Sequence, residues 1–121
     1  MSRDMADAIN LVDKLKQFEG YWQPRVVGTF NQHDLMVVKV KGEFNWHSHA
    51  DTDDFFMVLS GKLVIQMRDS EVTLGPGEIY VVPKGVEHKP TAVEETHMLL
   101  IEPKGTPNTG DAATAAARRE I

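Results

Sequence analysis

Residues 42–61 read GEFNWHSHADTDDFFMVLSG, a pair of histidines followed by an acidic turn and an apolar run. His47 and His49 are two positions apart. On a β-strand such residues project from the same face, so both imidazoles point the same way. A buried neutral imidazole needs a partner for its acceptor nitrogen, and one shared metal ion satisfies both rings. The pattern favours a metal site, although an isolated His-x-His is also typical of two exposed histidines near a turn.

The neighbouring residues supply further candidate ligands. Asp54 follows the polar turn, so a hairpin can bring its carboxylate back towards the two rings, and Asp53 is the alternative if the turn shifts by one residue. His88 follows a Pro-Lys-Gly turn at residues 83–85, which redirects the chain. Imidazole with carboxylate suits a transition metal such as Mn, Fe, Ni or Zn, whereas Ca and Mg prefer oxygen ligands. The expected cofactor is one divalent transition-metal ion of unknown identity.

Beyond Pro24 the chain alternates short β-type runs with turn residues. The predicted strands cover residues 25–30, 35–41, 55–59, 62–68, 71–74, 78–82 and 97–102. Strands this short, with no helical pattern between them, predict an antiparallel sandwich or barrel.

Two segments of this β-rich region resemble the two sequence motifs of the cupin family. Residues 42–61 match the first motif, and residues 77–88, with their Pro-x-Gly turn and final histidine, match the second. The resemblance implies a small single-domain bacterial cupin, an all-β antiparallel double-sheet jelly-roll barrel. It also implies a set of metal ligands: His47, His49, Asp54 and His88. Asp54 replaces the glutamate of the family, and Ala92 stands where the second motif has an asparagine.

The same patterns divide the chain into three parts. Residues 1–24 are expected to form an N-terminal helical extension, 25–103 the barrel and 104–121 an irregular C-terminal tail. A short helix is predicted over residues 5–18, where apolar side chains recur at helical spacing, and Gly20 is expected to end it. The tail contains many helix and strand breakers, so we expect a surface arm that is poorly ordered unless a partner holds it.

Strand alternation also predicts which side chains face the metal. Counting from Asp54 places Phe56 inside the barrel and directs Phe55 and Met57 outward. Three residues are candidates for a substrate pocket: Phe56, Tyr80 and His97. Barrel packing or surface exposure is the alternative for each of them, and no catalytic residue is identifiable. An apolar pocket with few polar groups suits a small-molecule ligand.

Several predicted strands are apolar on both faces, which a small isolated barrel cannot bury. Either the N-terminal helix or a second copy of the chain must cover the outer face. We expect a homodimer whose interface includes Phe55 and Met57, with Trp46 as a further candidate.

Composition excludes several classes of protein. The chain has 121 residues, which suits one domain, and its 13 basic and 18 acidic residues form no basic stripe. Nucleic acids and membranes are therefore not expected partners. The absence of cysteine removes disulfides, thiolate metal sites and cysteine nucleophiles. The first residues include acids where a signal peptide has a basic region, so we expect a cytoplasmic protein.

These features predict a metal-dependent enzyme that acts on a small oxygen-rich molecule, such as a sugar derivative or an organic acid. Isomerase, lyase and dioxygenase chemistry are all compatible with such a site. The alternative is a non-catalytic barrel that binds or senses a small molecule. The fold alone does not decide between them, because one fold supports many functions.

Overall fold

The structure is a computed structural model that describes residues 7–121. Within this range the chain forms one short helix and eight strands. The elements are α1 Leu11–Leu15, β1 Arg25–Phe30, β2 His33–Glu43, β3 Asp54–Ser60, β4 Leu63–Met67, β5 Glu71–Leu74, β6 Ile79–Val82, β7 His88–Pro103 and β8 Arg119–Glu120. No helix in the described part of the chain is long and apolar enough to span a membrane.

The strands form the predicted antiparallel double-sheet barrel. The hydrogen-bonded order is β5-β4-β7-β2-β1-β8, and β3 pairs with both β6 and β7. Pairing is antiparallel throughout, except that β8 runs parallel to β1. The fold class predicted from the sequence is confirmed. Strands β1 to β6 lie where they were predicted, with their ends shifted by at most two residues.

Strand β7 is much longer than the predicted strand at residues 97–102, because it begins at His88. Its first half pairs with β4 and with the end of β2, and its second half pairs with β2 and β3. The sequence of the first half contains Pro90 and an exposed segment at residues 93–95, both of which resemble a loop. Pro90 is nevertheless tolerated opposite Ile65 of β4. One strand therefore joins the two sheets and carries residues of both.

The helix is shorter than predicted. It begins after Asn10, whose side-chain oxygen accepts a hydrogen bond from the Asp13 backbone N–H at 3.0 Å, so Asn10 is the N-cap. It ends at Leu15, well before the predicted stop at Gly20. The first residues of the predicted helix, 5–6, lie outside the described residues, and Val12 is exposed rather than buried. The tertiary packing of a few apolar residues, not a long amphipathic helix, holds this segment on the barrel.

Two apolar cores lie on the two faces of the strands. The larger fills the barrel and includes Phe56, Val58 and Met98. The smaller lies outside, where Leu15 and Phe18 cover part of the outer face of the sheet. The alternation of β3 is as predicted, with Asp54, Phe56 and Val58 buried inside and their neighbours half-buried outside.

The C-terminal segment returns to the barrel instead of forming a free surface arm. β8 adds to the edge of β1, and the backbone N–H of Ile121 donates to the Val26 carbonyl at 3.0 Å. Arg118 forms ion pairs with Asp34 and Glu102, both of which are buried. Residues 104–118 are consequently a loop with both ends attached to the barrel.

Candidate metal centre

The backbone places His47 and His88 side by side. Each donates its N–H to the carbonyl of the other, at 3.0 Å for His47 and 2.9 Å for His88, which makes a local antiparallel bridge. His49 lies two residues beyond His47, and its carbonyl accepts from Gly85 in the turn before His88 at 2.8 Å. The turn at residues 83–85 therefore delivers His88 to the histidine pair, as the sequence predicted.

Asp54 opens β3 and completes the cluster. Its Oδ2 atom lies 2.8 Å from Nε2 of His88, 3.2 Å from Nε2 of His49 and 3.9 Å from Nε2 of His47. All four side chains are buried, and none exposes more than 8% of its surface. Asp53, the alternative ligand, is used elsewhere, because its Oδ1 accepts the Lys84 N–H at 2.9 Å in the neighbouring turn.

The hydrogen bonds fix which ring nitrogens face the centre. Nδ1 of His47 lies 2.9 Å from the Asn45 carbonyl, and Nδ1 of His88 lies 2.9 Å from the Val86 carbonyl. A carbonyl only accepts, so each Nδ1 carries the proton and each neutral ring turns the lone pair of Nε2 inward. Outer hydrogen bonds of this kind orient metal-ligating histidines in proteins.

This arrangement is incomplete without a cation. A neutral His88 would place an Nε2 lone pair 2.8 Å from a carboxylate oxygen, and two electron-rich atoms at that distance repel. In addition, Nε2 of His49 is buried without a hydrogen bond of acceptable geometry. A proton or a metal ion in the centre removes both defects.

The spacing also fits a metal ion. The four donor atoms lie within 4.8 Å of one another. With metal–ligand bonds of about 2.1 Å, neighbouring donors are about 3.0 to 3.4 Å apart in octahedral or tetrahedral shells. The oxygen–nitrogen distances of 2.8, 3.2 and 3.9 Å bracket these values. The cluster can therefore hold a metal ion with little movement of its side chains.

The pKa values of the cluster residues favour the binding of a cation. Burial lowers the pKa of His47 to about 4, so this ring is neutral at ordinary pH. Burial alone would raise the pKa of Asp54, but the neighbouring rings of His49 and His88 outweigh it and lower this pKa to about 2. Burial also acts to lower the pKa of His49, yet the Asp54 carboxylate raises it overall. The centre thus combines an ionised carboxylate with at least one neutral imidazole.

A comparison with known protein families finds the Cupin domain over residues 34–102. This chain is a cupin. The match begins in β2 and ends in β7, so it includes all four residues of the cluster. The cupin is 33% identical, over 79 residues, to the uncharacterised protein YdbB of Bacillus subtilis, covering 64% of this chain and 70% of that protein.

Solved structures share the fold over most of this cupin. A cupin-2 domain protein from Shewanella frigidimarina is 52% identical and superposes with a TM-score of 0.78, covering 79% of this chain and 94% of that one. Hydroquinone 1,2-dioxygenase from a Sphingomonas species has a TM-score of 0.72 at 20% identity, covering 82% of this chain and 32% of the enzyme. At that identity the likeness concerns the fold alone.

A cavity of about 40 Å³ borders the cluster inside the barrel. That volume holds about three water molecules. His47, Asp54 and Phe56 face it, and Phe56 also places its ring edge-on to His88 with centroids 6.0 Å apart. Most of its remaining wall is apolar: Trp22, Pro24, Val38, Val40, Phe44, Pro90, Met98 and Leu100. Phe56 is therefore the one predicted pocket residue that the structure brings to the metal cluster.

Tyr80 and His97 do not line this cavity. Tyr80 lies opposite Phe56 in the sheet and packs against the barrel core, but it borders a separate groove with Val82 and Val86 instead of the metal cavity. His97 projects from the outer face of β7, because its neighbours Thr96 and Met98 are the buried residues of that strand. On that face its Nε2 contacts Glu95 at 2.6 Å. The inward face of β7, which the sequence left open, decides the placement of His97.

The structure adds Glu102 to the cavity wall, a residue that the sequence analysis did not select. Glu102 is buried, interacts with Asp54 and pairs with Arg118. Counting inward positions along the predicted strand at residues 97–102 from Met98 would have found it. Nothing in the sequence indicates Arg118, because it arrives from the far end of the chain.

Proposed function

We propose that this cupin binds one divalent transition-metal ion through His47, His49, His88 and Asp54 and uses it to act on a small oxygen-rich molecule. One observation supports the ion most strongly. With Nδ1 of His88 committed to a carbonyl, its Nε2 approaches the Asp54 carboxylate to 2.8 Å. A cation between these two atoms turns a repulsive contact into two favourable ones. Three nitrogens and one oxygen suit Mn, Fe, Ni or Zn.

The bound ion would supply Lewis acidity towards a carbonyl or, as Fe(II), the capacity for dioxygen chemistry. The protein residues hold the site in place and keep bulk water away. Phe44 and Phe56 stand beside the imidazoles, with the Phe44 ring centroid 5.2 Å from that of His47. Apolar walls strengthen every electrostatic interaction at the cluster, because they lower the local dielectric constant.

The same walls narrow the choice of substrate. A sugar needs hydrogen-bond partners on all sides, whereas this cavity offers polar side chains only near the cluster and at Glu102 and Asn108, besides the Trp22 indole. A compact organic acid or a phenol, with its oxygen atoms gathered at one end, suits the wall better. The shared fold with hydroquinone 1,2-dioxygenase makes phenols a reasonable first panel.

Elemental analysis of the purified protein tests the metal part of this proposal. We expect close to one equivalent of a transition metal per chain, or uptake of one equivalent from Mn, Fe, Ni or Zn after treatment with chelator. The triple variant His47→Ala/His49→Ala/His88→Ala is the control and should bind none. Equal uptake by the wild type and this variant would reject the site.

Substrate screening with each loaded metal tests the catalytic part. Panels of phenols, keto acids and sugar derivatives should yield turnover that requires the metal and disappears in the triple variant. Saturable ligand binding without turnover on any panel would instead favour the second candidate, a non-catalytic small-molecule binding barrel.

We further propose that the chain forms a homodimer through the outer face of β3, β6 and β7. Two rows of apolar residues cross this face in register. One row is Val81, Phe55 and Ile101, and the other is Ile79, Met57 and Leu99. The β6 end of each row is open to solvent, because Ile79 exposes 56% and Val81 44% of its surface. The α1 segment covers Val37 at the other end of the sheet and leaves this part free. A second copy would offer an equally apolar face.

Sedimentation velocity distinguishes the homodimer from a monomer. The wild type should sediment as a dimer at micromolar concentration, and Ile79→Glu should shift it to the monomer. Val93→Glu is the matched control, because Val93 is 86% exposed but lies away from the two rows. A monomeric wild type would reject the dimer. Trp46 is less suited to the interface than the sequence suggested, because the Arg68 guanidinium covers its ring at 3.8 Å.

A further inference from the structure

The loop of residues 104–118 lies beside the metal cavity and contributes one residue to its wall. Asn108 from this loop forms part of the cavity wall together with His47 and Asp54. Gly110 approaches the His47–His49 segment so closely that an added Cβ atom would clash with the Ser48 carbonyl oxygen. The loop therefore lies directly against the backbone that carries two of the imidazoles.

Both ends of this loop are firmly attached to the barrel. At one end, β7 continues to Pro103. At the other end, the Arg118 guanidinium donates to Asp34 at 3.0 Å, to Glu102 and to two carbonyls at the start of the loop. Arg118 thus closes the loop on itself as well as joining it to buried carboxylates. The ends cannot leave without breaking a buried ion pair.

The middle of the loop is attached far more weakly. Among residues 7–121, the hydrogen bond from Asn108 Nδ2 to the Trp22 carbonyl, at 3.5 Å, is the one that joins residues 107–116 to the barrel. The other hydrogen bonds of this stretch stay within it, such as Ala116 N–H to Asn108 Oδ1 at 3.0 Å. A segment with fixed ends and few hydrogen bonds to the barrel can open locally without unfolding the rest.

We propose that residues 104–118 are a cover for the metal cavity, which moves at its middle while Arg118 holds its base. The cavity has a volume of about 40 Å³, so a ligand larger than a few waters needs more room than its walls now leave, and Asn108 is the wall residue that the loop contributes. Opening of the cover limits how fast ions and ligands exchange. Asn108 is the residue of the cover that meets the bound ligand. The test by Zn(II) removal rests on the proposed metal site, whereas the test by tryptophan quenching does not.

Two glycine substitutions test the cover. Gly110→Ala pushes the loop off the Ser48 carbonyl, whereas a Cβ atom at Gly105 meets nothing within 4 Å. Both glycines have positive φ, +78° and +84°, so alanine causes similar backbone strain at each. From the Zn(II)-loaded protein, the chelator 4-(2-pyridylazo)resorcinol should remove the ion about fivefold faster or more in Gly110→Ala. Gly105→Ala should match the wild type, with a similar melting temperature for both variants.

Equal rates of Zn(II) removal from both variants and the wild type would overturn the proposal that the loop covers the cavity. A wild type that binds no Zn(II) would reject the metal site. The proposed cover is then tested by a second measurement, on the metal-free protein. In a Trp46→Phe background Trp22 is the sole tryptophan, and it lines the cavity. Acrylamide should quench its fluorescence more strongly with Gly110→Ala than with Gly105→Ala. Identical quenching constants would show that the loop does not shield the cavity.

Discussion

Two groups of buried carboxylates lie close together in the structure, and their negative charge is neutralised in different ways. Asp34 and Glu102 face the guanidinium of Arg118, a cation that the chain itself supplies. Asp54 faces three imidazoles, which are cations only when protonated. The first group has its cation within the chain and fastens the C-terminal segment. The second can exchange its proton for a metal ion, so the comparison separates a structural ion pair from a binding site.

The pKa of Glu102 shows that negative charge from the two groups adds up inside the barrel. Burial and the charge of Asp54 raise the pKa of Glu102 to about 7, against the opposing effect of Arg118. The interior is therefore short of positive charge even with the arginine in place. A bound divalent ion would compensate for this deficit. The structure thus favours cation binding at Asp54 on charge as well as on geometry.

Removal of Arg118 should have the largest effect on stability. Arg118→Met leaves Asp34 and Glu102 buried without their cation, and we expect the free energy of unfolding to fall by about 3 kcal/mol. Urea denaturation in the presence of a chelator measures this without interference from metal. Arg119→Met is the matched control, because Arg119 is exposed. Similar stability of the two variants would mean that the first group is not a structural ion pair.

Removal of the Asp54 carboxylate should lower the affinity for the metal ion. If Asp54 ligates directly, Asp54→Ala should weaken binding tenfold or more, the scale also seen for outer ligand partners. Asp54→Glu should keep much of the affinity, because glutamate is the residue of the family. If Asp54 acts through a water or in catalysis, Asp54→Asn should retain metal and lose turnover. Titration of the three variants with Mn, Fe, Ni and Zn separates these cases. Wild-type affinity in Asp54→Ala would place Asp54 outside the site.

Proton competition should weaken metal binding as the pH falls from 8 to 5. The raised pKa of His49 means that its proton must leave before the ring can ligate, so affinity drops as the pH falls through that value. His47, with a pKa of about 4, stays neutral over this range and adds no competition. Calorimetry in buffers of different ionisation enthalpy counts the protons released. An affinity that is unchanged between pH 8 and pH 5 would contradict this account.

The smallest effect is expected at Glu95, another carboxylate with a histidine partner, which lies outside the barrel. Glu95 accepts from Tyr21 at 2.9 Å and contacts His97 at 2.6 Å, but it is exposed to water. Exposed pairs contribute little, because water replaces each partner at low cost. Glu95→Gln should therefore leave both metal affinity and the melting temperature unchanged within error. A clear loss of metal binding would connect this outer group with the centre.

Much of the centre was predictable because it depends on local rules. Alternation along β3 places Asp54 with Phe56 on one face. His47 and His49 converge as predicted, although their segment makes a single bridge to His88 and not a strand. The turn before His88 is equally local. These rules need only a few neighbouring residues, and the structure brings together all four predicted ligands.

The predictions failed where the position of a residue depends on segments that are distant in the sequence. The inward face of β7 is set by its pairing with β2 and β3, so the sequence did not tell whether His97 or Met98 faces the cavity. The first half of that strand is held by β4 despite Pro90. Arg118 reaches Asp34 only because the tail folds back. Each of these features depends on contacts between segments far apart in the sequence, for which local patterns carry no signal.

Strand β7 has a consequence for how the chain acquires its shape. It pairs with β2, where Asp34 lies opposite Glu102, and with β3 and β4. Neither sheet can close until this late segment has left the ribosome, since it belongs to both. Such distant pairing implies slow folding, with the apolar strands β3 and β4 exposed during synthesis. A nascent chain stopped before β7 should be digested readily by protease, and one that extends past Ile121 should resist it.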